Sequence, residues 1–177
     1  MPRTDPMAEK DGSLPPPRFE TAPRVLIVAA PFYRDIADKL IAGACAVLDA
    51  CGATRDMIEV PGALDIPAAI RLAERRYEAF VALGCVLRGE TSHYEIVSQE
   101  SAHGLIKLGV ERGLAIGNGI LTCEDRAQAE KRADPNQSDK GGGAAFAALH
   151  LCAHARRFAE GPLSRGDTLY ASGGAAV

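Results

Sequence analysis

The hydrophobic positions along the chain change their spacing several times, which predicts alternating strands and helices. Short aliphatic runs are typical of buried strands, and they occur at residues 25–29, 57–60, 80–86 and 115–121. Apolar residues at helical spacing occupy the segments between and after them, at about residues 36–48, 66–75, 93–112, 125–132 and 142–158. This alternation predicts a parallel sheet with helices on both of its faces.

Three of the predicted helices begin at residues that are typical of helix N-caps. Asp65 lies where it could cap the second helix. Ser92 and Glu95 have the spacing of a capping box at the start of the helix over 93–112. Thr122 and Asp125 have the same spacing ahead of the next helix. These patterns support the predicted helix boundaries.

Composition divides the chain into a body and two ends. Residues 1–23 hold 6 of the 11 prolines and little periodic apolar pattern, so we expect a disordered N-terminal arm. Residues 161–177 are rich in glycine, serine and alanine, which predicts a flexible C-terminal tail. A single folded domain is expected over residues 24–160.

The net charge and the cysteine content limit the classes of function and partner that the chain can have. The net charge of -3 argues against a nucleic-acid or anionic-membrane partner, because such partners need a large basic surface. No apolar run approaches the length of about 18 residues that a membrane-spanning helix needs. The 5 cysteines are widely spaced and form no CxxC pair, which argues against disulfides and zinc and favours a reducing cytoplasm.

Parallel sheets bind ligands beyond the carboxyl ends of their strands, and the segment 87–94 lies at such a position. It leads into a helix N-terminus, where backbone N–H groups and the helix dipole favour an anion. Thr91 adds a hydroxyl group, and His93 adds a side chain suited to proton transfer. Alternatively, Ser92 and Glu95 only cap the helix and His93 is an exposed helical residue.

Each of the other candidate residues has a simpler structural explanation beside its functional one. Arg132 and Lys140 flank a polar loop and could bind phosphate, although an arginine near a helix C-terminus is also a common dipole complement. Phe32 could stack on a flat heterocycle or could belong to the core. Asp65 could bind a polyol instead of capping a helix. Cys85 suggests a nucleophile paired with a histidine, but a cysteine in an apolar strand is usually a packing residue.

Four segments together resemble the lumazine synthase family. They are Val60-Pro-Gly-Ala-Leu-Asp-Ile-Pro67, Ala82-Leu-Gly-Cys-Val-Leu-Arg-Gly-Glu-Thr-Ser-His-Tyr94, Gly119-Ile-Leu-Thr122, and the stretch from Arg132 to Gly141. They occur in the family's order and at its spacing, and the resemblance covers about residues 24–158. The second segment is the most specific of the four.

The resemblance implies a three-layer α/β/α sandwich with a four-stranded parallel sheet in flavodoxin-like order. It implies the condensation of 5-amino-6-(D-ribitylamino)uracil with 3,4-dihydroxy-2-butanone 4-phosphate, a step of riboflavin biosynthesis that releases phosphate and water. The family uses no metal and no cofactor, and its active sites lie between neighbouring subunits of a pentamer. A hand-over of the product to riboflavin synthase is also possible for such an enzyme.

The resemblance also assigns roles by position. His93 matches the family's proton-transfer histidine. The residues that match contacts to the pyrimidine and its ribityl chain are Phe32, Ala63, Leu64, Asp65, Cys85, Val86, Leu87 and Asn118. The residues that match contacts to the phosphate are Glu90, Thr91, Arg132 and Lys140.

Three positions depart from the family pattern. Asn118 stands where many members have an aromatic residue, Asp65 where glutamate is usual, and Asn136 where many have a lysine. A non-catalytic protein of the same fold that binds flavin or lumazine is therefore the alternative function, with an unrelated flavodoxin-like nucleotide binder as a third. The loop 134–139 lacks the glycines that are common in members forming sixty-subunit shells, which favours a pentamer.

Overall fold

The computed structural model describes residues 14–164. Residues 1–13 and 165–177, which hold most of the predicted arm and tail, lie outside the described residues, so the domain boundaries stay a prediction. The described end of the arm has neither helix nor strand. Within it, Phe19 packs against the core, and the guanidinium carbon of Arg156 lies 5.3 Å from the centre of the Phe19 ring.

Strands and helices alternate along the described chain, as the hydrophobic pattern predicts. The strands are β1 (Arg24–Ala29), β2 (Thr54–Glu59), β3 (Ala79–Leu87) and β4 (Ala115–Cys123). The helices are α1 (Arg34–Ala50), α2 (Ile66–Ala73), α3 (His93–Arg112), α4 (Arg126–Ala133) and α5 (Lys140–Ala159). One 3-10 turn, Ala63–Asp65, precedes α2.

The four strands form one parallel sheet in the order β2-β1-β3-β4. This confirms the predicted parallel α/β fold and its flavodoxin-like strand order. β1 and β3 lie in the centre of the sheet, and nearly all of their residues are buried. β2 lies at one edge, and all six of its residues are exposed. The weak hydrophobic pattern of β2 reflects this edge position.

The alternation of side chains along the central strands builds two cores, one on each face of the sheet. Val25 and Ile27 point to a core that α1, α4 and α5 cover. Leu26 and Val28 point to the opposite core, which α2 and α3 cover. The molecule therefore has three layers, with three helices on one face and two on the other.

Glycines in β4 allow α5 to approach the sheet closely. A Cβ atom at Gly117 would lie 1.8 Å from the backbone oxygen of Ala144, and one at Gly119 would lie 3.0 Å from the Ala144 Cβ. The same residues lower the strand propensity of this segment. Close helix packing is therefore the physical reason that glycine occupies positions where a strand usually has side chains.

The predicted N-cap positions are confirmed at Asp65 and Ser92, although neither side chain makes a capping bond, and the N-cap predicted at Thr122 is wrong. Asp65 makes no capping bond to α2, and its carboxylate accepts a hydrogen bond from the Gly62 N–H at 2.9 Å. Thr122 belongs to β4, and Asp125 caps α4 directly by accepting from the Gln128 N–H at 2.8 Å. Ser92 makes no side-chain capping bond to α3.

Candidate active site

All four strands are parallel, so their carboxyl ends meet at one edge of the molecule. The strands end at Ala29, Glu59, Leu87 and Cys123. Beyond those ends lie the segments 30–33, 60–65, 88–92 and 124–125. Most of the candidate residues predicted from the sequence occur in or next to the first three of these segments.

The segment after β3 carries the candidate proton-transfer residue. Glu90 and Thr91 are exposed in the loop, and His93 is the exposed first residue of α3. The His93 N–H lies 3.4 Å from the Thr91 Oγ1, a long hydrogen bond. Because the Ser92 side chain makes no capping bond, the first N–H groups of α3 are left available to an anion.

The segment after β2 lies against the end of β3 and the start of α3. Ala63 is buried and belongs to one apolar cluster with Val86, at the end of β3, and Val97, in the second turn of α3. Leu64 and Asp65 follow Ala63 and are exposed. The structure thus brings the segment predicted to contact the ribityl chain next to the strand end predicted to contact the ring.

Phe32 lies in the segment after β1, and its side chain is 75% exposed. Its ring meets the Tyr33 ring edge to face, with 5.0 Å between the ring centres and 76° between the planes. Tyr33 in turn packs against the core. Phe32 is therefore not a core residue, and the exposed ring is available to stack on a flat ligand.

Cys85 is buried near the end of β3. Burial raises the pKa of the Cys85 thiol to about 12, with a smaller contribution from Cys123, so that the thiol stays protonated at neutral pH. Only a thiolate is an effective nucleophile. The geometry and protonation state agree with Cys85 as a packing residue beside the site and argue against the nucleophile considered from the sequence.

Arg132 and Lys140 lie on the helices that follow β4. Arg132 is half-buried in the last turn of α4, where its Nη1 donates to the Gln128 carbonyl at 3.3 Å. It forms no ion pair with any residue of the described 14–164 stretch, unlike Arg126 of the same helix, which pairs with Asp35 and Glu130. Lys140 is the exposed first residue of α5.

Asn118 lies within β4 and not at its end. It pairs with Ala82 of β3, and its Oδ1 accepts a hydrogen bond from the Ile120 N–H at 2.9 Å. Cys123 at the strand end is the fifth residue after Asn118, which corresponds to about 17 Å of extended chain. The side chain is exposed on the face of the sheet that α2 and α3 cover only in part. In the register of the sheet, Gly119 is level with Leu83 and with Ala29 at the end of β1, so Asn118 lies one residue before the level at which β1 ends and well before the end of β3 that leads to His93.

One residue of the site had no role in the sequence prediction. Arg88, directly after β3, forms ion pairs with Glu124 and Glu95, and its guanidinium carbon lies 4.2 Å from the centre of the Tyr94 ring. Glu124 lies 36 residues away in the sequence, so no local pattern could have indicated this contact. Arg88 connects the ends of two strands with the first turn of α3.

Comparison with known proteins gives a consistent result over the same part of the chain. A family model described as 6,7-dimethyl-8-ribityllumazine synthase matches residues 22–156. The chain is 54% identical over 144 residues to the 6,7-dimethyl-8-ribityllumazine synthase of Azorhizobium caulinodans, which covers 77% of this chain and 89% of that protein. The enzyme of the same name from a Jannaschia species is 49% identical over 150 residues, with 84% of each chain covered.

A third relative has the same name as the first two. The 6,7-dimethyl-8-ribityllumazine synthase of Bartonella bacilliformis is 51% identical over 142 residues, which are 78% of this chain and 93% of that protein. The matched region includes all four strands, all four segments that follow them at the sheet edge, and both basic residues after β4. The chain therefore belongs to the 6,7-dimethyl-8-ribityllumazine synthase family.

Proposed function

We propose that this enzyme condenses 5-amino-6-(D-ribitylamino)uracil with 3,4-dihydroxy-2-butanone 4-phosphate to give 6,7-dimethyl-8-ribityllumazine, phosphate and water, as a step of riboflavin biosynthesis. The observation that carries the proposal is the segment after β3, in a chain that shares 49–54% identity with the relatives compared above. That segment combines an exposed imidazole with uncapped helix N–H groups at the sheet edge.

The reaction requires protons to move in both directions. The 5-amino group attacks the ketone and forms an imine with loss of water, phosphate then leaves, and the second nitrogen attacks the remaining carbonyl group and closes the ring with loss of a second water. His93 is proposed to donate and accept these protons, because its ring is exposed beside the phosphate-binding segment. Binding the two substrates side by side accelerates the reaction further, because they no longer have to meet in solution.

The binding roles follow the positions of the remaining residues. Phe32 stacks on the pyrimidine, Asn118 lies beside the ring, and the strand end formed by Cys85, Val86 and Leu87 runs along it. The residues 63–65 contact the ribityl chain, with Asp65 sharing its carboxylate between the Gly62 N–H and a hydroxyl group. Glu90 and Thr91 contribute polar contacts to the phosphate, and Arg132 and Lys140 contribute positive charge.

A second copy of the chain is proposed to complete each site. Two apolar side chains on the outer face of α2 and α3 are almost fully exposed, with Leu72 at 89% and Val110 at 81%. Such exposure is typical of a protein interaction surface. The exposed side chain of Asn118, on the outer strand β4, agrees with a contribution to a neighbouring site. We propose a homopentamer, for which light scattering should give about five times the chain mass of 18.6 kDa.

The proposed location is the cytoplasm, with riboflavin synthase as the enzyme that consumes the product. None of the helices in the described 14–164 stretch has the length and apolar character needed to cross a bilayer. The five cysteines are all free thiols in the structure. Free thiols agree with a reducing compartment.

A turnover assay tests the proposed reaction. The purified protein is mixed with both substrates, and formation of the fluorescent lumazine is followed against the uncatalysed rate. We expect product to form well above that background. A protein that binds lumazine or riboflavin but gives no rate above background would instead be a non-catalytic binding protein of this fold.

We expect Arg132→Ala to raise the KM for the phosphate substrate by about 10- to 100-fold, which is the usual loss when one charge-assisted contact is removed. The KM for the pyrimidine substrate should change by less than about threefold, because Arg132 is assigned to the phosphate alone. Initial rates measured with one substrate varied at a time give both constants.

Lys131→Ala is the matched control. Lys131 is the exposed neighbour of Arg132 in the same last turn of α4, so its removal lowers the local positive charge by the same amount. It should leave both KM values close to wild type. Equal increases in the two KM values of Arg132→Ala would contradict the assignment of Arg132 to the phosphate.

A further inference from the structure

Arg88 is held by its main chain and its side chain at the same time. Its N–H donates to the Cys123 carbonyl at 3.0 Å, which continues the pairing of β3 with β4 by one residue. Its Nε donates to the Glu124 carboxylate at 2.6 Å, and its Nη1 donates to the Glu95 carboxylate in the first turn of α3. The Tyr94 ring lies against its guanidinium group. Arg88 therefore joins β3, the end of β4 and α3.

The charges on this cluster are stable near neutral pH. The hydrogen bonds that the guanidinium group donates to the two carboxylates raise the pKa of Arg88 above its usual value. The guanidinium group in turn lowers the pKa of the Glu95 carboxyl group. Arg88 and Glu95 therefore remain ionised in the range where an enzyme of this family would work, so their contact persists there.

The loop that Arg88 encloses, residues 89–92, has few other contacts that could hold it. Its only side-chain hydrogen bond in the described part of the chain is the long one from the His93 N–H to Thr91. The Ser92 side chain makes no capping bond, and a Cβ atom at Gly89 would meet nothing within 4 Å. Arg88 precedes this loop, and its partners Tyr94 and Glu95 follow it. The Arg88 contacts therefore tie the two ends of the loop together.

We infer that Arg88 is a positioning residue for the reaction, which holds the 89–92 loop and the first turn of α3 so that the His93 ring keeps its place. The inference rests on the proposed function. When a proton-transfer group is already held in its working geometry, less conformational entropy is lost on reaching the transition state. A planar guanidinium can contact two carboxylates and a ring at once, which an ammonium group cannot do.

The surroundings of Arg88 argue against direct phosphate binding. Two carboxylates already neutralise its charge, and they would repel an anion brought close to the same group. Arg132, by contrast, has no carboxylate partner within residues 14–164. Positioning and binding therefore belong to different arginines of the site.

Kinetics of Arg88→Ala test the inference. We expect kcat to fall by about 10-fold or more, with both KM values within about threefold of wild type, since the loss lies in the transition state. Arg88→Lys should recover part of kcat, because it restores charge without the planar contacts. Glu124→Gln, which weakens one contact of the cluster, should give a smaller loss in the same direction and provides a second variant if Arg88→Ala folds poorly.

Arg112→Ala is the matched control at the other end of α3. Arg112 donates to Glu74 from Nε at 3.2 Å and from Nη2 at 2.5 Å, so it also ties α3 to a neighbouring element by two hydrogen bonds. It lies in the last turn, far from His93 along the helix. We expect Arg112→Ala to keep kcat within about twofold of wild type.

Hydrogen exchange provides a readout that does not depend on activity. Amide exchange in residues 89–97 should become faster in Arg88→Ala and stay unchanged in Arg112→Ala. Wild-type kcat in Arg88→Ala, or unchanged exchange in this segment, would overturn the inference. A loss confined to the KM of the phosphate substrate would make Arg88 a binding residue and overturn it too. An inactive wild-type protein would refute the proposed function, while exchange would still decide whether Arg88 orders the loop.

Discussion

His93→Ala is expected to slow lumazine formation by about 10- to 1000-fold, which overlaps the contribution of about 100- to 10,000-fold that is usual for a positioned general acid or base. The exposed ring lies at the sheet edge, next to the loop that carries the phosphate contacts. Without it, water must supply and remove protons at the imine-forming and ring-closing steps. Both KM values should change little, because the ring acts on bonds that change in the transition state. Steady-state fluorescence assays with both substrates varied give kcat and the two KM values.

The same helix provides a control for this variant. His103 is an exposed histidine in the middle of α3, and its Nδ1 lies 3.7 Å from the Glu100 carboxylate. His103→Ala removes the same side chain from the same helix, so it should leave kcat within about twofold of wild type. A loss of less than about threefold in His93→Ala would remove His93 from the mechanism. Equal losses in the two variants would point to damage to the helix.

Periodic patterns predicted the fold well because packing against the sheet dictates them. β1 and β3 are buried on both faces, so nearly every residue is apolar, and runs of this kind are easy to recognise. Helix α3 ends at Gly113, whose φ of 66° is the left-handed conformation that glycine adopts most easily. β2 was predicted to begin three residues too late and to end one residue too late, because an exposed edge strand has no apolar pattern over its first half.

The contacts of the site were harder to predict because they depend on residues that are distant in sequence. The capping-box spacing of Ser92 and Glu95 is real, but Arg88 competes for the Glu95 carboxylate in the folded chain. Asp65 meets a similar competition from the Gly62 N–H. A local pattern lists the possible partners of a side chain, and the tertiary fold decides which of them it binds.

The family resemblance predicted which sequence positions hold the site residues, but it did not predict how these residues are arranged in space. His93, Thr91 and the 63–65 segment come together because the sheet is parallel and its loops share one edge. Arg132, Lys140 and Asn118 lie on or after the edge strand β4. We propose that a neighbouring subunit covers the exposed side of that strand.

Gly141→Ala is expected to lower the free energy of unfolding by about 2 kcal/mol or more, a typical cost of overpacking at a rigid contact. A Cβ atom at Gly141 would lie 2.0 Å from the backbone oxygen of Leu40 and 2.8 Å from its Cα. Both atoms belong to the middle of α1, so no side-chain rotation can relieve the contact. α1 and α5 would have to move apart, which opens the core that they share with the sheet. Thermal unfolding should show a midpoint lower by about 4–8 °C for a chain of this size.

Gly143→Ala separates this packing cost from the general effect of replacing glycine in a helix. Gly143 lies in the same first turn of α5, is exposed, and would place a Cβ atom with nothing within 4 Å. Alanine there should raise the stability by up to about 1 kcal/mol, because it is the better helix former. The two variants should therefore shift the midpoint in opposite directions at equal protein concentration. A midpoint for Gly141→Ala at or above wild type would show that α1 and α5 tolerate a wider spacing than the close contact implies.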